Sequence, residues 1–270
     1  ADVGTFCSLR FASTGPAISY FDATNGDLKF ARWTLAGWTT EVVESAGIVG
    51  QFSSLAFDFN GQPVVAYYDA TNATLKFATR TSGGWVTETV SPSGGHCSLV
   101  VDGPFGPRIS FFDGVGSLKY ASKSAGVWTI QTVDAGPGVG RYSSVRLDNG
   151  RRARIGYYDF ANGDLKLASQ TTVGGSTWNL ETVDAAGDVG RSASLALDLQ
   201  GNPHLCGYHV NGGAIRYGAY TFGRWRVETA DAQNRTGRFN SLAMDAQRVA
   251  HVGYFDVLHG RLMYGRRDPG

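Results

Sequence analysis

The sequence predicts an all-β chain, a six-bladed β-propeller whose last blade lacks its outermost strand. Three observations carry this expectation. The phrase Gly-x-x-x-Ser-Leu begins at Gly4, Gly50, Gly94, Gly140, Gly190 and Gly237, with Val145 the only replacement for Leu. The starts lie 46, 44, 46, 50 and 47 residues apart, a period typical of propeller blades. Within each period, four short runs of β-branched and aromatic residues alternate with Gly, Asn and Asp turn signals, and no segment of helical period competes. Four strands repeated six times do not close as one flat sheet, whereas radial packing of small sheets resolves their edges. Residues 1–270 therefore read as a single propeller domain.

The second copy shows the elements in order. Ser54-Leu55-Ala56-Phe57-Asp58 is strand a, and Phe59-Asn60-Gly61-Gln62 is a hairpin turn. Strand b runs from Pro63 to Asp69, a turn passes through Thr71-Asn72, and strand c is Leu75 to Ala78. Gly83-Gly84 precedes strand d, Trp85 to Val90. Elsewhere Asn25-Gly26 and Asn162-Gly163 supply the type I′ hairpin turn. Four residues before the end of strand b the column is large: Ile18, Val65, Ile109, Ile155, Leu205, Val252. The next column is small: Ser19, Ala66, Ser110, Gly156, Cys206, Gly253. Large residues on one face and small ones on the other let neighbouring blades pack face to face.

The sixth copy is incomplete. Five copies carry a Trp heading strand d, at Trp38, Trp85, Trp128, Trp178 and Trp225, but after Arg261-Leu262-Met263-Tyr264 the sequence ends near where a sixth would stand. Either the last blade has three strands or the natural chain continues. In the first case Arg261 to Arg267 is an exposed edge, guarded by the charge of Arg261, Arg266 and Arg267.

Charge is nearly balanced at +1, which gives no electrostatic reason to expect nucleic acid as a partner. No apolar stretch reaches the length of a membrane helix, so no membrane insertion is expected. The sequence opens at Ala1 with neither Met nor an apolar leader, as a mature secreted or cell-surface protein would. Cys7 and Cys97 share a register two blades apart, too far for a disulfide, and all three cysteines, Cys206 included, read as buried thiols.

The phrases Ser194 to His204 (Ser-Leu-Ala-Leu-Asp-x-x-Gly-Asn-Pro-His), Tyr157 to Lys166 and Trp-x-x-Glu-Thr-Val resemble tandem repeats of secreted and surface bacterial proteins, grouped with sialidase-like (BNR) and WD40-like propellers. The resemblance covers essentially the whole chain and implies fold rather than activity. The sialidase Asp-box, Ser-x-Asp-x-Gly-x-Thr-Trp, is absent, so no sialidase catalytic residue is carried over. Fucose-binding six-bladed lectins are closer in size and build sites between blades from Arg, Glu and Trp, although their full motif is not present either.

In a propeller the end of strand b meets the start of strand a at one mouth of the channel. The strand-b ends read Asp22, Asp69, Asp113, Asp159, His209 and Asp256; the residues after the repeat Gly read Thr5-Phe6, Gln51-Phe52, Gly95-His96, Arg141-Tyr142, Arg191-Ser192 and Arg238-Phe239. Rings, guanidinium groups and carboxylates around a concave mouth suit a glycan or other small polar ligand. The candidate binding set is Arg141, Tyr142, Asp159, Arg191, Ser192, His209, Arg238 and Asp256. A recurring Asp also serves as a turn cap, and that reading stands beside the first.

The fifth copy breaks the pattern three times: Ser192 for an aromatic residue, Gly207 for Tyr or Phe, and His209 for Asp. Loss of two rings is expected to open a cavity with one imidazole at its lip. This supports a rival reading, a hydrolase or lyase with His209 or His96 as general base and Arg191 or Arg238 stabilising negative charge. A third reading is a structural or interaction module of a larger surface protein. On the opposite face Arg108, Arg154, His204 and His251 form a basic column suited to an anion or to a solvated rim. No zinc-ligand spacing is present, and no motif names a cofactor.

Overall fold

The computed structural model describes residues 2–232 and 236–268. Its first sheet comprises β1 (Val3–Ala12), β2 (Gly15–Asp22), β3 (Asp27–Thr34) and β4 (Gly37–Glu44). The second comprises β5 (Val49–Phe57), β6 (Pro63–Asp69), β7 (Thr74–Thr81) and β8 (Gly84–Ser91). The third comprises β9 (Gly95–Val101), β10 (Pro107–Phe112), β11 (Ser117–Ser124) and β12 (Val127–Ala135). Then follow β13 (Val139–Leu147), β14 (Ala153–Asp159), β15 (Asp164–Gln170) and β16 (Trp178–Asp184). The fifth sheet is β17 (Val189–Leu197), β18 (Pro203–His209), β19 (Ala214–Thr221) and β20 (Arg224–Asp231). The sixth has three strands, β21 (Thr236–Met244), β22 (Ala250–Asp256) and β23 (Arg261–Arg267).

Strands lie in chain order in every sheet, and the fold class is that of a six-bladed β-propeller whose last blade has three strands. Among the described residues no helix is long and apolar enough to cross a membrane. Residue contacts group into two compact units, Ala1–Gly114 with Lys119–Gln131, and Val115–Leu118 with Thr132–Gly270; each is described by itself.

Strand b of the second repeat is as the sequence predicts, but strand a begins five residues earlier, at Val49. The early start is possible because β5 pairs with β6 through two register shifts, so that Val49 lies opposite Asp69 beyond a bulge. The repeat Gly allows the strand to begin there. A Cβ on Gly50 would lie 2.8 Å from the Cα of Leu28, and one on Gly140 2.6 Å from that of Leu118, so these two inner strands start against the third strand of the preceding repeat.

Within each unit the repeats are joined by one recurring bond. The Leu55 N–H donates to Ser8 Oγ at 3.1 Å, and Leu99 N–H to Ser54 Oγ at 2.9 Å. In the second unit Leu195 N–H donates to Ser144 Oγ at 3.1 Å, and Leu242 N–H to Ser194 Oγ at 2.9 Å. The motif Ser is therefore structural, and the motif Leu is its partner one repeat later. A turn carbonyl adds a second link: Gly26 O accepts from Val49 N–H, and Gly163 O from Val189 N–H, both at 2.8 Å. The small column has the expected use, since a Cβ on Gly156 would come within 2.6 Å of the Leu205 side chain.

A buried Tyr hydroxyl needs an acceptor, and the preceding repeat supplies one. Tyr67 donates to Glu44, Tyr157 to Asp134 and Tyr254 to Asp231, while Lys76 and Lys166 pair with the same carboxylates as Tyr67 and Tyr157. In the third repeat Phe111 has no hydroxyl, and the corresponding residue before it is Ser91 rather than an acid.

Cys97 and Cys206 are buried thiols, and Cys97 Sγ–H donates to Phe52 O at 3.1 Å. Cys7 departs from the expectation: it is exposed, as is most of β1. The β23 edge bears exposed Arg261 and Arg266; Arg267 pairs with Glu228. Ser54→Ala should leave the buried Leu99 N–H without its acceptor and cost about 1–3 kcal/mol, read as a lower denaturation midpoint. Ser241→Ala, at the same register but exposed, should leave the midpoint unchanged.

Candidate functional site

The bulge near the start of each inner strand forces one residue into the left-handed region. Phe6, Phe52, His96, Tyr142, Ser192 and Phe239 have φ of 51°, 53°, 49°, 53°, 57° and 53°. None is Gly, and such a conformation costs roughly 1–3 kcal/mol, a strain typical of functional sites. In the first unit these rings meet at a tilt: Phe6 and Phe52 with centroids 4.5 Å apart, and Phe52 and His96 at 4.1 Å. His96 thus belongs to a row of three packed rings.

In the second unit the residue before the left-handed one is Arg each time, Arg141, Arg191 and Arg238. Arg191 lies one residue before Ser192, and its guanidinium pairs with Asp188 Oδ2 at 3.0 Å. The other oxygen of Asp188 accepts the Tyr158 hydroxyl at 2.5 Å. Burial, and then the Asp188 carboxylate, push the Tyr158 phenol up to about 12. Tyr142 lies 6.3 Å from the Tyr158 ring, and Phe160 meets Tyr158 edge-on at 6.2 Å. The Arg141 guanidinium stands 4.5 Å from the Phe160 centroid. Phe160 is exposed, while Arg141, Tyr142, Arg191 and Asp188 are partly so. The result is a surface on which two guanidinium groups and one carboxylate adjoin the exposed ring of Phe160 and the half-buried ring of Tyr142, with the Tyr158 ring buried beneath them.

Four of the expected residues, Arg141, Tyr142, Arg191 and Ser192, belong to this part of the chain. Arg238 makes a simpler version one repeat on, 5.6 Å from the Tyr208 ring, and Ser192 Oγ accepts from the Phe239 N–H at 3.2 Å. Asp188, Tyr158 and Phe160 were not expected. The signal for Asp188 was slight: two before the repeat Gly the six copies read Asp2, Ile48, Pro92, Gly138, Asp188 and Arg235, a column with no recurring residue in which the acid of the fifth copy is matched by that of the first.

Asp159 and Asp256 are placed otherwise. Asp159 is buried and accepts from the Ala161 and Asn162 N–H groups and from Asn162 Nδ2, at 3.2, 3.3 and 2.9 Å. Asp256 accepts from the Leu258 and His259 N–H groups at 2.9 and 3.2 Å and meets His259 Nδ1 at 2.7 Å, which lowers its pKa. Both anchor the turn after strand b, and with their oxygens committed to it they take the turn-cap reading of that column. His209 stands at the same turn, half-buried, where Gly212 makes room: a Cβ there would lie 2.5 Å from His209 Nδ1.

At Gly207 the expected opening is closed at its base: even a Cβ would meet Gly190 Cα at 2.8 Å, so the backbone of β17 lies against that position in place of a side chain. Arg216 takes the place of the usual Lys, and its Nε donates to Asp184 Oδ2 at 2.8 Å. The basic column of the opposite face is neutralised locally. Arg108 pairs with Asp102 at 3.1 Å, Arg154 with Asp148 at 3.0 Å and His251 with Asp245 at 3.0 Å. His204 and His251 also meet Tyr217 and Tyr264 hydroxyls at 2.6 Å through Nδ1. Among the described residues no group of three or more His, Cys, Asp or Glu is placed to hold a metal ion.

No family model matches the chain, and no curated protein matches it either. Solved structures do resemble it. AofleA from Arthrobotrys oligospora is 16% identical, with a TM-score of 0.65 over 98% of this chain and 83% of that one. The SapL1 lectin, solved in complex with α-methyl fucoside, is 15% identical, with a TM-score of 0.66 over 99% and 93%. The Hadza microbial sialidase Hz136 is 14% identical, with a TM-score of 0.59 over 98% and 66%. At these identities the likeness is one of fold.

Two outcomes test this geometry. Gly207→Tyr, which restores the residue of other repeats, should destabilise rather than stabilise, since its Cβ meets backbone; a raised melting temperature would contradict the packing. The raised pKa of Tyr158 means that the folded chain holds its phenolic proton more tightly than the unfolded chain, whose tyrosines titrate near 10. The resulting stability is fully present below about pH 10 and is lost as pH rises towards about 12. Denaturation midpoints across that window should fall less steeply in Tyr158→Phe than in the parent.

Proposed function

We propose that this protein is a glycan-binding propeller, secreted or displayed at a bacterial cell surface, whose site is formed by Arg141, Tyr142, Tyr158, Phe160, Asp188 and Arg191. The observation that carries the reading is the Tyr158–Asp188–Arg191 network with an exposed ring, Phe160, beside it. A sugar presents apolar C–H faces and a fan of hydroxyls. Rings take the faces, and a guanidinium and carboxylate held in fixed orientation take adjacent hydroxyls. Because Asp188 already orients Arg191, little side-chain freedom is lost on binding. The fold shared with a lectin solved with α-methyl fucoside and with a sialidase supports the same class of ligand.

A neutral saccharide has no charge to attract over distance, so affinity rests on contact rather than steering. Net charge of +1 accords with this, and the reading includes neither nucleic acid nor membrane insertion. A glycan array should identify binders, and titration calorimetry should then show a loss of about tenfold or more for Arg191→Ala, the effect of about 1.4 kcal/mol in lost charge-assisted bonding. Asp188→Asn should weaken binding in the same direction, while Arg266→Ala, opposite His251 at the other end of the edge strand, should not. Binding that survives Arg191→Ala undiminished, or an array without binders, overturns the proposal.

A further inference from the structure

In four repeats the left-handed ring meets a ring of strand b in its own sheet. Phe6 lies 6.4 Å from Phe21, Phe52 6.3 Å from Tyr68, His96 6.4 Å from Phe112 and Tyr142 6.3 Å from Tyr158. The fifth repeat keeps the strand-b ring, Tyr208, opposite Arg191 in the β17–β18 pairing. Its left-handed residue is Ser192, with φ of 57°, so no ring of the same repeat stands over Tyr208. The Arg238 guanidinium of the next repeat approaches instead, 5.6 Å from the Tyr208 centroid.

This exchange replaces a closed apolar contact by groups that can bind a hydroxyl. Ser192 Oγ accepts from the Phe239 N–H at 3.2 Å, and its own proton remains to donate. Tyr158, one repeat earlier, spends its hydroxyl on Asp188. The residue that stands in the sequence at the place of Asp188 one repeat on is Arg235, and a guanidinium has no acceptor to offer. Among the described residues none accepts the Tyr208 hydroxyl. Ser192, Tyr208 and Arg238 thus form a second polar place beside the first, with Arg191 shared between them. Bulge residues of successive repeats are close neighbours: the first unit holds their rings 4.5 and 4.1 Å apart, a step that two joined sugar rings can span.

Given a glycan at the Tyr158–Asp188–Arg191 network, on which this inference rests, we propose that the ligand is an oligosaccharide of at least two units. The first unit lies at Phe160, Asp188 and Arg191. The second lies over Ser192, where its hydroxyls meet the Ser192 and Tyr208 hydroxyls and the Arg238 guanidinium. Ser192 then acts as a specificity-determining residue, because a ring at its position would fill the second place.

Titration calorimetry with mono-, di- and trisaccharides ending in fucose, galactose, mannose or N-acetylglucosamine tests this. For the terminal sugar that the protein accepts, the disaccharide should bind the parent about tenfold more tightly than the monosaccharide methyl glycoside. Ser192→Tyr rebuilds the ring of Tyr142 at a backbone conformation that aromatic residues already hold in other repeats, and it should cut that ratio to about threefold or less. Arg238→Ala should cut it likewise, and it gives the reading from an exposed position if Ser192→Tyr does not fold. Arg191→Ala should weaken both sugars. Equal affinity of the parent for mono- and disaccharide, or a ratio that survives both variants, overturns the second place and leaves the Arg191 site standing. Binding of none of these saccharides, or binding indifferent to Arg191→Ala, overturns the glycan reading and the second place with it.

Discussion

The constraint from which the rest follows is a backbone N–H at the inner edge of each sheet. Leu55, Leu99, Leu195 and Leu242 are buried, and a buried N–H left unpaired costs as much as a lost hydrogen bond. Their own sheets do not supply the acceptor; a Ser hydroxyl one repeat earlier does. That bond sets how closely successive sheets approach and fixes the motif Gly against the third strand of its predecessor. With both ends of Gly-x-x-x-Ser pinned, the three residues between must bulge, and one of them takes positive φ. The surface residues Arg141, Tyr142, Arg191 and Ser192 occupy that bulge, so scaffold and candidate site are adjacent residues of one short phrase.

The second layer of the scaffold explains why most breaks in the repeat are not functional. Tyr67, Tyr157 and Tyr254 bury a hydroxyl that the preceding acid receives, and where the ring is Phe111 the acid is replaced by Ser91. Gly207 removes both ring and hydroxyl, and there the acid remains, now paired with Arg216 rather than with Tyr and Lys. The changes in the fifth repeat compensate one another within a few ångströms. A departure that serves packing comes with a partner that restores it; one that serves a ligand leaves polar groups facing outward. Arg191 and Asp188, both partly exposed, are the residues we propose to be of the second kind.

The fold was legible because the repeat states it six times, and a period, a turn chemistry and a large-small alternation all agree. The site was legible as columns but not as pairs. Arg141, Tyr142 and Arg191 stood in the polar and aromatic column after the repeat Gly, whereas Asp188 lies in a loop where no recurring residue draws attention to the position. Asp159 and Asp256 looked functional because they are charged and recurrent, but recurrence was the mark of the turn they hold. The positive φ of Phe52 or Tyr142 has no signature in propensity, since aromatic residues do not seek that region; it is imposed by bonds to residues some 45 positions away. Gly207 read as a missing ring because side chains can be counted in a sequence, and the backbone movement of β17 that replaces one cannot.

A repeat cannot bury its own flat faces, so each depends on the next. The Ser face and the Leu face differ, and their union is therefore directional: it adds repeats at one end in the sense in which the chain itself is built. Within a unit that direction sets each bulge residue beside the one from the preceding repeat, as Phe52 stands with its centroid 4.5 Å from that of Phe6 and 4.1 Å from that of His96, so a change at one bulge is felt at its neighbour.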